Sequence, residues 1–130
     1  MDRLACIDVG LKRIGVATTL GLGVITPQSP IYRKNRVQAS ADVDSFLVSW
    51  DIDKLVVGLP TSHEETSRRI RHFVGLLRFD KPIVYQDENM SSCEARELLK
   101  GEMKQKRDGR IDSLSAKIIL QRYIDIQHQG

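Results

Sequence analysis

The sequence predicts one α/β domain spanning residues 1–130, built on a mixed sheet of about five strands with helices on both faces. Three observations carry this. Two β-rich runs open the chain only a few residues apart, which makes them an antiparallel hairpin. Later β-rich runs alternate with segments whose apolar residues recur at i, i+3, i+4 and i+7, which implies strand–helix–strand units with parallel pairing and right-handed crossovers. A length of 130 residues supports one hydrophobic core and not two. The expected sheet therefore has its first three strands antiparallel and the rest parallel.

Each element follows from its residues. Leu4 to Asp8 is a short apolar run, read as a strand buried on both faces, and Arg13 to Thr19 (RIGVATT) is its hairpin partner. Gly21 and Gly23 punctuate the next turn. A third strand is expected over Gln28 to Arg33, and the prolines beside it point to a sheet edge. Val43, Phe46, Leu47 and Trp50 then form one face of a helix. Lys54 to Gly58 (KLVVG) is a strand again. After Pro60 and a polar TSHEE run, Ile70, Phe73, Val74 and Leu77 repeat the helical stripe. Pro82 to Gln86 is the next strand, and Ser91 to Lys100 a helix ended by Gly101. Gly101 to Gly109 is a polar, mostly cationic loop. The last helix is expected from Asp112 to Ile126, with Ala116, Ile119, Leu120 and Tyr123 inward.

Composition narrows the class. With 41% hydrophobic and 28% charged residues the chain falls in the range of soluble globular proteins. The net charge of +3 is a mild basic excess, compatible with a polyanionic partner. No apolar stretch approaches the ~20 residues of a membrane span, and the opening MDRLACIDVG lacks a small-residue cleavage site. A cytoplasmic location is the expectation. Cys6 and Cys93 fit it as buried, reduced thiols without partners at zinc-ligand spacing.

The acids carry the chemistry. Asp8 ends the first strand, Asp87 and Glu88 end the last, and Asp112 opens the final helix. In open α/β sheets, sites form beyond the carboxyl ends of the parallel strands. Asp8 and the Asp87–Glu88 pair then emerge at one edge, and Asp112 shares the inward face of its helix with Ala116 and Ile119. Carboxylates brought together repel unless a cation lies between them, and hard oxygen donors suit Mg²⁺ or Mn²⁺. Such ions activate water and stabilise the leaving oxygen in phosphodiester cleavage. Taken singly, Asp112 also suits a helix cap and Asp87 and Glu88 suit an exposed loop. Asp8 is different, because a carboxylate directly after Ala5-Cys6-Ile7 in a central strand is costly without a partner.

Cations surround the same edge. Lys12 and Arg13 follow Gly10 in the hairpin turn, where they could hold a phosphate. Lys104, Lys106, Arg107 and Arg110 precede Asp112 and could track a nucleic-acid backbone, or form a solvated loop. Arg68, Arg69 and Arg71 follow Glu64 and Glu65, and i, i+4 pairing accounts for much of that run.

Four stretches in order, IDVGLKRIGVA at 7–17, VVGLP at 56–60, DENMSS at 87–92 and IDSLSAKIILQRYID at 111–125, resemble the YqgF (RuvX) family over nearly the whole chain. The resemblance implies an RNase H-like fold and a metal-dependent endonuclease or hydrolase acting on phosphodiester bonds. The implied role is maturation of the 5′ end of pre-16S rRNA, with Holliday-junction resolution as an alternative. The implied substrate is an rRNA precursor or branched DNA, with ribosomal assembly particles as partners. It implies a divalent ion held by acids of the first strand, the last strand and the final helix, here Asp8, Glu88 and Asp112. Lys12, Arg13 and Arg110 would hold phosphates. The sequence departs from the family pattern in three places. Asn89 stands where an arginine follows the Asp-Glu pair, TSHEETS replaces a glycine-containing stretch after GLP, and Ser115 replaces the first alanine of the final helix.

Two other classes compete. Asp8-x-Gly10 followed by Gly15 resembles the phosphate loop of actin-like ATPases, but those need two such domains. A non-catalytic RNA-binding factor in ribosome assembly would need no metal. The substrate, the number of ions and the oligomeric state are left open by the sequence.

Overall fold

The structure is a computed structural model that describes residues 2–21, 23–87 and 110–129, with side chains from Ser113 to Gln127 in the last segment. Five strands form one sheet: β1 (Leu4–Val9), β2 (Arg13–Thr19), β3 (Ile25–Tyr32), β4 (Lys54–Leu59) and β5 (Ile83–Asp87). Their spatial order is β3-β2-β1-β4-β5. The pairs β1–β2 and β2–β3 are antiparallel, and β1–β4 and β4–β5 are parallel. The mixed sheet is thus as expected, with β1 at its centre.

The two faces carry separate cores because side chains alternate along each strand. Ala5, Ile7 and Val9 of β1 face α1 (Arg36–Ser49) and α2 (Glu64–Val74), meeting Val43, Leu47, Ile70 and Phe73. Cys6 faces α3 (Arg110–Gln129), with Ala17 and Val56 beside it and Ala116, Ile119, Leu120 and Tyr123 above. The helical stripes read from the sequence are therefore the buried faces. Asn35 caps α1 in a full capping box: its side chain accepts from the Gln38 amide at 2.7 Å, and Gln38 Oε1 accepts from the Asn35 amide at 3.3 Å.

The third strand differs from its expected bounds. It begins at Ile25, and Pro27 and Pro30 lie inside it rather than beside it. An edge strand tolerates proline because one side of its backbone needs no donor. The register also shifts between Ile14↔Ile31 and Val16↔Gln28, so that Ser29 and Pro30 both stand against Gly15. This is a β-bulge. The expected helix at 91–100, the cationic loop at 101–109 and Cys93 lie outside the described residues.

Candidate active site at the end of the central strand

Asp8 is half-buried at the carboxyl end of β1, on the α3 face because it follows Cys6 by two. Directly opposite it in the antiparallel ladder is Gly15. On the other side, one step past the last parallel pair, Ile7↔Val57, Asp8 comes level with Gly58. Both lateral neighbours of this carboxylate therefore lack a side chain. No side chain from the neighbouring strands therefore stands beside it at this level of the sheet. Carboxylate oxygens are the donors that a hard divalent ion requires.

The hairpin beyond Asp8 is tightly made. The Gly10 amide donates to the Arg13 carbonyl at 3.0 Å. A Cβ on Gly10 would sit 2.6 Å from that same oxygen, a backbone atom that cannot swing aside. Lys12 is exposed at the tip. Arg13 opens β2 and lies on the face of Gly15 and Ala17, the face of Asp8. As the diagonal neighbour of Asp8 it is about 7–8 Å away between backbone positions.

Ser113 brings the final helix to the same place. Its hydroxyl donates to the Gln28 carbonyl at 2.7 Å and accepts from the Val16 amide at 3.3 Å. One helical side chain thus enters the ladder beside the bulge, one residue from the glycine that faces Asp8. The first turn of α3, which holds Asp112, is docked over β2 by this contact.

Asp87 does not join Asp8. It ends β5 on the face of Tyr85, opposite to that of Val84 and Cys6, and it is exposed. Glu88 lies outside the described residues, as do the side chains of Arg110 and Asp112. Among the described residues, no three His, Cys, Asp or Glu side chains gather as a metal site. Ser113, Gly58 and the serine-filled bulge escaped sequence reasoning. Each depends on which strand lies next to which, and no local pattern states that.

A family model described as RuvX, Holliday junction resolvase, matches residues 2–126. The chain belongs to the RuvX family. RuvX relatives are close over full length. A protein of Sulfurovum sp. strain NBC37-1 named "Putative pre-16S rRNA nuclease" is 57% identical over 127 residues, which cover 95% of this chain and 99% of that one. A protein of the same name from Sulfurimonas denitrificans is 50% identical over 121 residues, 91% and 93% of the two chains. The crystal structure of the fowlpox virus Holliday junction resolvase superposes with a TM-score of 0.60 at 10% identity, covering 96% of this RuvX chain and 99% of the other. The viral likeness is one of fold, and it bears out the mixed five-stranded RNase H-like arrangement.

Proposed function

We propose that this single-domain RuvX protein is a nuclease that hydrolyses phosphodiester bonds in structured nucleic acid, with the 5′ end of pre-16S rRNA as its substrate. The observation that supports it most is the setting of Asp8: half-buried at the end of the central strand, between Gly15 and Gly58, with the start of α3 pinned one residue away. The names of the full-length relatives supply the substrate. Among the described residues no helix is long and apolar enough to cross a membrane, and the reading places the protein in the cytoplasm, working on ribosomal assembly particles.

Asp8, Glu88 and Asp112 are the residues that would hold Mg²⁺ or Mn²⁺, all three through hard carboxylate oxygens. When bound, the ion supplies the field that activates water and offsets charge on the leaving oxygen. The exposed side of Asp87 speaks against that residue and for its neighbour as the ligand from β5. Arg13 shares the face of Asp8 and orients the substrate phosphate, with Lys12 and Arg110 holding adjacent phosphates as diffuse charges. The glycines on either side of Asp8 put no side chain between its carboxylate and a phosphate.

The family description favours a second substrate, the four-way DNA junction. One experiment separates the readings. An rRNA precursor, single-stranded RNA and a four-way junction are each incubated with Mg²⁺, Mn²⁺ or chelator, using wild type and Asp8→Asn. Cleavage of the precursor by wild type alone, and only with metal, is expected. Mn²⁺-dependent cleavage by Asp8→Asn would sink the site, and RNA binding indifferent to both metal and Asp8 would make the protein a binding factor.

A further inference from the structure

On the opposite face of the hairpin from Asp8, three arginines gather. Arg33 follows β3, and its guanidinium donates to the Gly10 carbonyl while lying over the Phe73 ring at 5.0 Å from the centroid. Arg36 opens α1 and contacts His72 of α2, Nη1 to Nε2 at 3.3 Å. Arg69 lies one turn before His72 and Phe73 on α2. Among the described residues, none of the three arginines makes an ion pair, whereas the adjacent Arg68 pairs with Glu64 at 3.5 Å. Burial, and then the charges of Arg69 and Arg36, push the Arg33 guanidinium below its ordinary value. Like charges held this close repel, and an anion between them would relieve the repulsion.

We infer that Arg33, Arg36 and Arg69 form a phosphate-backbone site that holds the nucleic acid after it has crossed the tip of the β1–β2 hairpin. Arg33 is fixed on both sides, which presets the fork that recognises a phosphate. Arg36 and Arg69 are exposed and supply the remaining donors. The Gly10 carbonyl that Arg33 holds is two residues past Asp8, on the order of 7 Å along the chain. Lys12 stands at the tip between the two faces. A strand with one phosphate at Asp8 therefore reaches the arginines by passing Lys12, and the contact reads backbone, not base sequence. The inference rests on the nuclease reading for the direction of that strand, and on the geometry for the site.

The test is binding without cleavage. Wild type, the double variant Arg36→Gln/Arg69→Gln, the control Arg68→Gln and Asp8→Asn are titrated in EDTA against two fluorescent probes. One is a four-way DNA junction and the other a hairpin RNA with a single-stranded 5′ extension. The double variant is expected to bind about tenfold or more weakly at 150 mM salt. Its slope of log K against log salt should be shallower by about 1.5–2, as for two lost phosphate contacts. Arg68→Gln should follow wild type. Both arginines are exposed, and a circular-dichroism melt confirms that the double variant folds. An unchanged slope in the folded double variant, or an equal loss in Arg68→Gln, overturns the site while leaving the nuclease reading intact. In a parallel assay with Mn²⁺ in place of EDTA, normal cleavage by Asp8→Asn with the arginine effect present overturns the catalytic reading and supports this site. Failure of wild type to bind either probe overturns both.

Discussion

Ser113 and Ser115 stand two residues apart in α3, both almost fully buried, and the same substitution should act on them with opposite sign. Ser113→Ala deletes a 2.7 Å bond to the Gln28 carbonyl and a longer one from the Val16 amide. The Val16 amide is buried, and stranding it costs about 1–3 kcal/mol, with about 1 kcal/mol more for the partly exposed Gln28 bond. Alanine returns at most about 0.5 kcal/mol in helix propensity. The net loss is about 2–3 kcal/mol. Ser115 Oγ is buried and has no hydrogen-bond partner among the described residues. Ser115→Ala removes an undischarged polar atom and gains the same propensity, so it should stabilise by about 1 kcal/mol. The assay is urea unfolding followed by circular dichroism, with a slope of about 2 kcal/mol per molar for a chain of this size. The two midpoints should differ by about 1.5–2 M, on either side of wild type. Midpoints shifted in the same direction, or separated by less than about 0.5 M at equal slope, would refute the assignment of these hydroxyls.

Three further outcomes follow from the same contacts. Gly10→Ala places a Cβ against the Arg13 backbone oxygen, and forcing that turn open should cost about 1–3 kcal/mol, read as a lowered melting temperature; a melt like wild type would show that the turn tolerates a side chain. Asp87→Asn should cleave within about threefold of wild type, since Asp87 faces away from Asp8, while Glu88→Gln should lose about 10²–10³-fold, the scale of one preorganised electrostatic contact; the reverse ranking in a single-turnover assay would exchange their roles. Gly58→Val should place a branched side chain beside Asp8 and abolish cleavage while circular dichroism still reports the folded sheet, and a cleaving variant would show that the reaction does not need a bare backbone there.

Much of this was legible from residue patterns because it depends on periodicity. The helical stripes through Val43 and Leu47, Ile70 and Phe73, and Ala116 and Leu120 proved to be the buried faces. The hairpin at residues 4–19 was set by the short link between two β-rich runs, and the bounds of β2 came out as read. β3 was misread at its start because prolines normally bound a strand, and here an edge position and a bulge admit them. Of the candidate site, the sequence marked Asp8 as the acid inside a central strand, and the structure places it half-buried at the end of β1. The adjacency of Asp87 and Glu88 in sequence could not decide between them; alternation along β5 places Asp87 on the face opposite to Val84 and Cys6. Arg33 looked like the polar end of a strand. Its partners, Gly10 and Phe73, lie 23 and 40 residues away in sequence, and only the fold brings them together.

The hairpin explains why two costly features lie so close together. A carboxylate in a central strand and a cluster of like-charged guanidinium groups each oppose folding locally. Proteins keep such conflicts where function requires them. Here both are tied to one turn: Asp8 precedes Gly10 by two residues, and Arg33 holds the Gly10 carbonyl from the other face. A chain segment this short cannot bend to move one charge without moving the other, since the Gly10–Arg13 bond closes it and the Gly10 site admits no side chain. The distance between the proposed site of cleavage and the proposed site of backbone capture is therefore fixed by the turn itself. On that proposal a substrate strand has to span the distance in one conformation to satisfy both, and structured nucleic acid would be selected through backbone geometry before any base is read.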